Sequence, residues 1–241
     1  MKGKKNSESD HRVHLTSLGQ FASGVGHEIN NPLNIINGFL TMITQRLHET
    51  NYSDPLVFEK LESITLANKR ISTIVKALRE FSNENSQVVA DLNLHDLVFE
   101  VFVMIRDLYR RSSIEVEFEC ENKSIKVWGN KERLQKALIS LLSNAKDALN
   151  DVKAAKVTIL IEETEREIKI IITDNGVGIA EELKEKVFNP FFTTKDVNKR
   201  IGIGLTLAHA IAVEHGGRIE LDSKAEIGTK IIMLLPIFNI N

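Results

Sequence analysis

"GVGHEINNPLN", residues 24–34, sets a histidine beside a glutamate inside a long amphipathic pattern and then interrupts that pattern with a proline. His-Glu on a helix opens the zinc-protease pattern H-E-x-x-H, in which two histidines four apart share one face. Here Asn31 stands at the fourth position and no Cys/His cluster occurs elsewhere, so tetrahedral zinc lacks its nitrogen and sulfur ligands. The histidine has another use, and the residues flanking it set the architecture.

Outward from this stretch, apolar residues fall at Leu15, Leu18, Ala22, Val25, Ile29, Leu33, Ile36, Leu40, Ile43 and Leu47, spacings of three and four that trace one helix with a coiled-coil-like seam. The consecutive fours around Ile29 form a stutter, which locally unwinds a left-handed supercoil. It coincides with Pro32, whose missing N–H deprives the Glu28 carbonyl of its helical donor and whose ring disfavours helical geometry at Asn31. A kink is expected there. "NYSDP" (51–55) reads as a turn, with Asp54 as N-cap and Pro55 at the first helical position. A second seam follows at Val57, Leu61, Ile64, Asn68, Ile71, Val75 and Leu78, in which the lone polar Asn68 can fix register. A hairpin with one apolar seam per helix cannot close a core by itself. Two hairpins paired as a four-helix bundle can, which predicts a homodimer.

Beyond the turn-rich "SNENSQ" (82–87) the period changes. Strand-like runs ("IEVEFECE", "KVTILIEETE", "EIKIIITD", "TKIIMLLP") alternate with helical ones at 94–111, 131–149 and 203–215. The organisation expected is a flexible linker over 1–11, a helical domain over 12–87 and an α/β domain over 88–241. Over 241 residues, 31 lysines and arginines face 33 acidic residues, a net charge of −2, which leaves no basic footprint for nucleic acid or an anionic membrane. The single Cys120 excludes an intrachain disulfide and fits the reducing cytoplasm. No apolar run approaches membrane-span length and the polar N-terminus lacks a signal-peptide core, so the chain reads as cytoplasmic, alone or as the cytoplasmic part of a longer sensor.

Two glycine motifs stand out in the second half. "DNGVGI" (174–179) ends an apolar strand with a carboxylate; by itself it is ordinary turn chemistry. "GIGL" (202–205) opens a helix, where bare N–H groups and the dipole favour phosphate. No G-x-x-x-x-G-K-[ST] loop exists, and "GIGL" lacks the preceding strand of a dinucleotide fingerprint.

The order of the fragments carries more than any one of them. "HEINNPL" (27–33), "LLSNAKDAL" (141–149), "DNGVGI" (174–179), "FNPFFTTK" (188–195), "GIGLTLAHAI" (202–211) and "EIGT" (226–229) follow one another along the chain. This series resembles the sensor histidine kinases of two-component signalling, in their H, N, first-glycine, F and second-glycine boxes and terminal glycine-threonine turn. The resemblance implies a two-domain α+β chain. Its helical hairpin would form a dimeric four-helix bundle, followed by an α/β sandwich ATPase domain of the gyrase, heat-shock-chaperone and histidine-kinase type. It implies ATP and Mg²⁺ as cofactors and a response regulator's receiver domain as partner.

By that resemblance Asn144 would hold Mg²⁺ against the phosphates, amide oxygen suiting this hard ion, with Asp147 and Ala148 lining the pocket. Asp174 would accept the adenine amino group's hydrogen bond, while Gly176 and Gly178 let the base approach the backbone. Lys195 would stand near the γ-phosphate at the root of a lid running to about Ile201. Gly202, Ile203, Gly204 and Leu205 would cradle the triphosphate, and Thr229 would close the adenine side. Three residues depart from the commonest pattern: Ser140 for a first asparagine of the N box, Thr206 for a third glycine, and Glu226 for a glycine of the last turn.

Heptad positions counted from Leu15 as a put His27 at f, farthest from the seam and open to a second domain. The other histidines, His11, His14, His48, His95, His209 and His215, read as ordinary surface or helix residues. The reaction implied is in-line attack of a neutral His27 ring nitrogen on the γ-phosphorus, with Glu28 accepting the proton from the other nitrogen. Asn31 shares the His27 face at i+4, where the family orients the water that dephosphorylates the regulator. Two rivals remain, a conformational ATPase without a histidine acceptor and a phosphotransfer scaffold with an inactive nucleotide domain. "HEINNPL" opposes the first; Asn144, Asp174 and Gly202 oppose the second.

Overall fold

The computed structural model describes residues 28–82, 89–195 and 201–237, and the chain divides into two compact units. The first is a helical hairpin, α1 over 28–49 and α2 over Pro55–Ser82. Between them Asp54 caps α2, its Oδ1 accepting from Leu56 N at 2.9 Å, as Pro55 at the first helical position requires. Helical backbone passes through Pro32 unbroken. His27, the seam residues Leu15 to Val25 and the linker over 1–11 lie outside the described residues, and with them the far side of the expected kink.

The seam divides in two. Leu33 and Leu40 of α1 and Asn68 and Val75 of α2 are buried, and Asn68 Nδ2 donates to Leu33 O at 3.0 Å. Ile36, Ile43, Ile64 and Ile71, expected in the same seam, are instead 42–49% exposed, and Ile35, Phe39, Met42 and Leu66 widen that open face. Two helices can cover only the residues between them, so alternate members of each heptad stay uncovered within one hairpin.

The second unit is a two-layer sandwich. Its chain order is β1 (Ala90–Asn93), α3 (Leu94–Arg111), β2 (Glu115–Cys120), β3 (Lys126–Gly129), α4 (Lys131–Ala148), β4 (Lys156–Glu163) and β5 (Glu167–Asp174). Two single-turn 3-10 helices, Glu181–Leu183 and Lys186–Phe188, come next, then α5 (Gly204–Glu214), β6 (Arg218–Lys224) and β7 (Gly228–Pro236). The main sheet has the order β2-β4-β5-β7-β6, with β2 and β4 parallel and the remaining pairs antiparallel, while β1 and β3 form a separate ribbon. Strand periodicity of two sends Val157, Ile159 and Ile161, then Ile168, Ile170 and Ile172, then Ile231, Met233 and Leu235 into the core. Helix periodicity sends Leu134, Leu138, Leu141, Leu142 and Ala145 of α4 to meet them.

Asparagine side chains cap α3 and α4: Asn93 accepts from Asp96 N and Asn130 from Arg133 N. Helices α4 and α5 run antiparallel, fastened at one end by the Arg133 guanidinium on the Glu214 carboxylate. There His215 is not an ordinary helix residue. Its Nε2 accepts from Asn130 N at 3.0 Å and its Nδ1 donates to Ile211 O at 2.7 Å, which fixes the neutral tautomer. Among the described residues no helix is long and apolar enough to cross a membrane.

Candidate functional site

The residue after Ile168, Ile170 and Ile172 on the inward face of β5 is Asp174, so the alternation that builds the core ends it on a carboxylate. Asp174 is 6% exposed, pairs in register with Thr229 on β7, and accepts from Gly176 N at 2.9 Å. A Cβ on Gly176 would lie 2.6 Å from Ala148 O, and Val177 N donates to that same carbonyl at 3.0 Å. The first-glycine turn is thereby seated on the last turn of α4. At Gly178 the backbone is left-handed (φ +65°) and a Cβ would sit 2.0 Å from Lys224 O, so no side chain fits. Backbone crowds both glycines, and at Gly176 the Asp174 Oδ1 lies 2.7 Å from the same Cβ position.

One turn back along α4, Asn144 faces the other glycine motif. A Cβ built on Gly204, the first residue of α5, would meet Asn144 Nδ2 at 3.1 Å and Oδ1 at 3.2 Å, and Ser140 Oγ at 2.8 Å. Ile203 is buried at the N-cap position, Leu205 is half-buried, and Gly202 adopts φ +72° against the Phe192 carbonyl. Residues 144 and 148, one helical turn or roughly 6 Å apart, thus join the acidic turn to the glycine-led helix start. Asp147 and Ala148, at the end of that turn, are half-buried. As a cation site this donor set fits Mg²⁺, which takes one or two protein oxygens and completes its shell with phosphates and water.

Other predicted site residues are placed as follows. Glu28 and Asn31 are both exposed on α1, and His27 lies outside the described residues. Lys195 is exposed, its N–H bonded to Thr193 Oγ1 at 3.1 Å; residues 196–200 of the expected lid are outside the described residues.

Two residues of the acidic end carry no sequence signal. Ser223, 5% exposed, accepts from Ile179 N, donates to Gly228 O and stands 2.9 Å from Thr229 Oγ1, tying the glycine turn to β6 and β7. Tyr109 is buried, donates to Leu142 O at 2.6 Å, and has its phenol pushed well above the ordinary tyrosine range by burial and by the Asp174 and Asp147 carboxylates. It stays a neutral donor beside the acidic cluster.

Glu226 has φ +64°, the conformation that makes glycine usual there. Exposed, and needing only its N–H for Val177 O, it gains nothing visible from its side chain. Glu226→Gly is expected to stabilise the second unit by about 0.5–1 kcal/mol, raising its melting midpoint by roughly 1–4 °C. A thermal melt followed by circular dichroism checks this, and a lowered midpoint refutes it.

Comparison with known proteins agrees with this geometry. Residues 129–239 match the histidine kinase-, DNA gyrase B- and HSP90-like ATPase family, and residues 17–87 the His Kinase A phospho-acceptor domain. The C4-dicarboxylate transport sensor protein DctB of Rhizobium meliloti is 30% identical over 87% of this chain and 33% of its own length. Sporulation kinase A of Bacillus subtilis is 31% identical over 92% of this chain and 35% of its own. The chain therefore spans about a third of the curated relatives it matches. Among solved structures, the nucleotide-free catalytic domain of histidine kinase ThkA superposes with a TM-score of 0.57 at 32% identity, covering 63% of this chain and 97% of that one. Histidine kinase ThkA in complex with response regulator protein TrrA gives 0.63 at 32% identity over 98% of this chain and 66% of that one. With a phosphoacceptor hairpin leading into an ATPase domain that carries each glycine box in place, this chain belongs to the sensor histidine kinases.

Proposed function

We propose that this chain moves the γ-phosphoryl group of ATP to His27 and then to an aspartate of a response regulator's receiver domain, as a homodimer in the cytoplasm. The observation that carries the reading is the single turn of α4 that sets Asn144 against Gly204 and Ala148 against Gly176. On this reading the base would lie at the acidic turn and the phosphates at the start of α5. Domain limits at 12–87 and 88–241 accompany the proposal, and a second copy covering Ile36, Phe39, Ile43, Ile64 and Ile71 would complete the hairpin's core.

His27 attacks as neutral imidazole: an N–P bond forms, the bond from γ-phosphorus to the bridging oxygen breaks, and ADP departs with its electron pair. The proton on the other ring nitrogen passes to the Glu28 carboxylate as positive charge develops. Asp174 holds the adenine amino group, and the N-terminus of α5 faces the phosphates. When bound, Mg²⁺ would neutralise phosphate charge, with Asn144 holding it. Lys195 would add positive charge at the γ-phosphate. Transfer onward follows when the phosphorylated imidazole meets an aspartate of the receiver domain. Support comes from histidine kinase ThkA, which is solved in complex with response regulator protein TrrA. The decisive assay is metal-dependent transfer of label from γ-labelled ATP into acid-labile protein phosphate. Label that survives acid, or none at all, removes the reading.

The proposal includes a phosphatase activity. An exposed amide one turn past His27 can orient a water without charge, so Asn31→Ala is expected to keep labelling on His27 and lose acceleration of regulator dephosphorylation. Its effect on stability should stay within about ±0.5 kcal/mol, as for other surface changes. Wild-type dephosphorylation rates in this variant leave Asn31 with no such role.

A further inference from the structure

Helix α5 is the exception among the α-helices of the second unit: Asn93 and Asn130 cap α3 and α4, whereas Ile203 at the α5 N-cap makes no side-chain capping bond. An uncapped first turn frays unless something else holds it. Two hydroxyls do. Ser140 Oγ, on α4, donates to Gly204 O at 2.9 Å. Thr206 Oγ1, on the first turn of α5 and 2% exposed, donates to Phe188 O at 3.0 Å. These are two of the three positions at which the sequence departs from the common family pattern, and at both the replacement brings a hydroxyl to the same helical turn.

The chemistry of the two bonds is complementary. A capping side chain would consume N–H donors at the helix start, the groups phosphate needs. Ser140 instead takes a spare lone pair of a carbonyl, and Thr206 supplies its own proton to a carbonyl outside the helix, so neither uses a backbone N–H. The turn is gripped from α4 on one side and from the 186–188 turn on the other, while Phe188 also packs its ring against His209 at 5.7 Å.

We propose that Ser140 and Thr206 are positioning residues that hold the N-terminus of α5 in place for the nucleotide's phosphates while leaving its N–H groups open. This rests on the reading of that helix start as the phosphate cradle. Ser140, although one turn from Asn144, acts here through Gly204 and not as a ligand of the cation.

The test is calorimetric titration of the full chain with ADP and with adenosine, each with and without Mg²⁺, for Ser140→Ala, Thr206→Val and Thr206→Ser. Loss of one such hydrogen bond predicts ADP affinity reduced about two- to tenfold in Ser140→Ala and Thr206→Val. The same factor is expected with and without Mg²⁺, with adenosine affinity unchanged and Thr206→Ser close to wild type. A loss seen only with Mg²⁺ would make Ser140 a metal ligand and overturn the proposal. Equal losses for ADP and adenosine would make the hydroxyls general structural supports and overturn it too, as would no loss. If wild type binds adenosine as tightly as ADP, the cradle itself is misassigned and the proposal falls with it. That outcome is distinct, because it appears before any variant is made.

Discussion

Incubated with γ-labelled ATP and Mg²⁺, the His27→Gln variant is expected to show no acid-labile phosphate above background while binding ATP as wild type does. Glutamine preserves polarity and approximate length but not nucleophilicity, since its amide nitrogen lone pair is delocalised into the carbonyl, whereas a neutral imidazole keeps an in-plane lone pair on one nitrogen. The heptad count from Leu15 puts this position at f, away from the expected seam, so folding should change by no more than about 0.5 kcal/mol. Nucleotide affinity should not follow the loss of labelling, because Asn144, Asp174 and Gly204 all belong to the other compact unit. Calorimetric titration beside the labelling assay separates the two effects. Phosphate mapped to a different residue in the wild-type protein, or persistent labelling in the variant, would refute His27 as acceptor.

The sequence made the large elements legible because their periods are long and unmixed. The alternation in "EIKIIITD" reappears as β5 over Glu167–Asp174, and the 94–111 pattern as α3 over Leu94–Arg111. Asp54 and Pro55 mark a helix start whose chemistry is local, and the cap forms as expected. The short β1 and β3 and the charged β6 were not legible, because four residues, or a run such as "RIELDSK", do not establish a period. Nor does a seam say which of its members a single hairpin covers: Leu33 and Ile36 look alike in sequence and differ in burial. The site divides along the same line. Residues with motif spacing could be named, whereas Tyr109, Ser223 and His215 act through neighbours 33, 44 and 85 positions away, a separation that no local pattern encodes. At Ser140 and Thr206 the sequence showed departures from a pattern, and only the hydrogen bonds to Gly204 and Phe188 give them a purpose.

Asp174→Asn is expected to weaken ADP binding about 10- to 150-fold, the equivalent of a lost hydrogen bond to a charged group of roughly 1.5–3 kcal/mol. One carboxylate oxygen already accepts from Gly176 N at 2.9 Å, and an asparagine in the same rotamer keeps its oxygen on that donor. Its NH₂ then occupies the place of the second oxygen. The adenine amino group is itself a donor, so donor meets donor at a site only 6% exposed, where water cannot repair the mismatch. Guanine carries a carbonyl at that ring position, which the new NH₂ can serve, so the ratio of ADP to GDP affinity should fall by more than ADP affinity alone. Folding is not the confounder: the exchange is isosteric and removes a buried negative charge beside the Tyr109 phenol, so a thermal melt should show no large loss of stability. Calorimetric titration of wild type and variant with ADP and GDP reads both effects. If the variant keeps wild-type ADP affinity, Asp174 does not recognise adenine, and its burial at the end of β5 serves only the Gly176 turn.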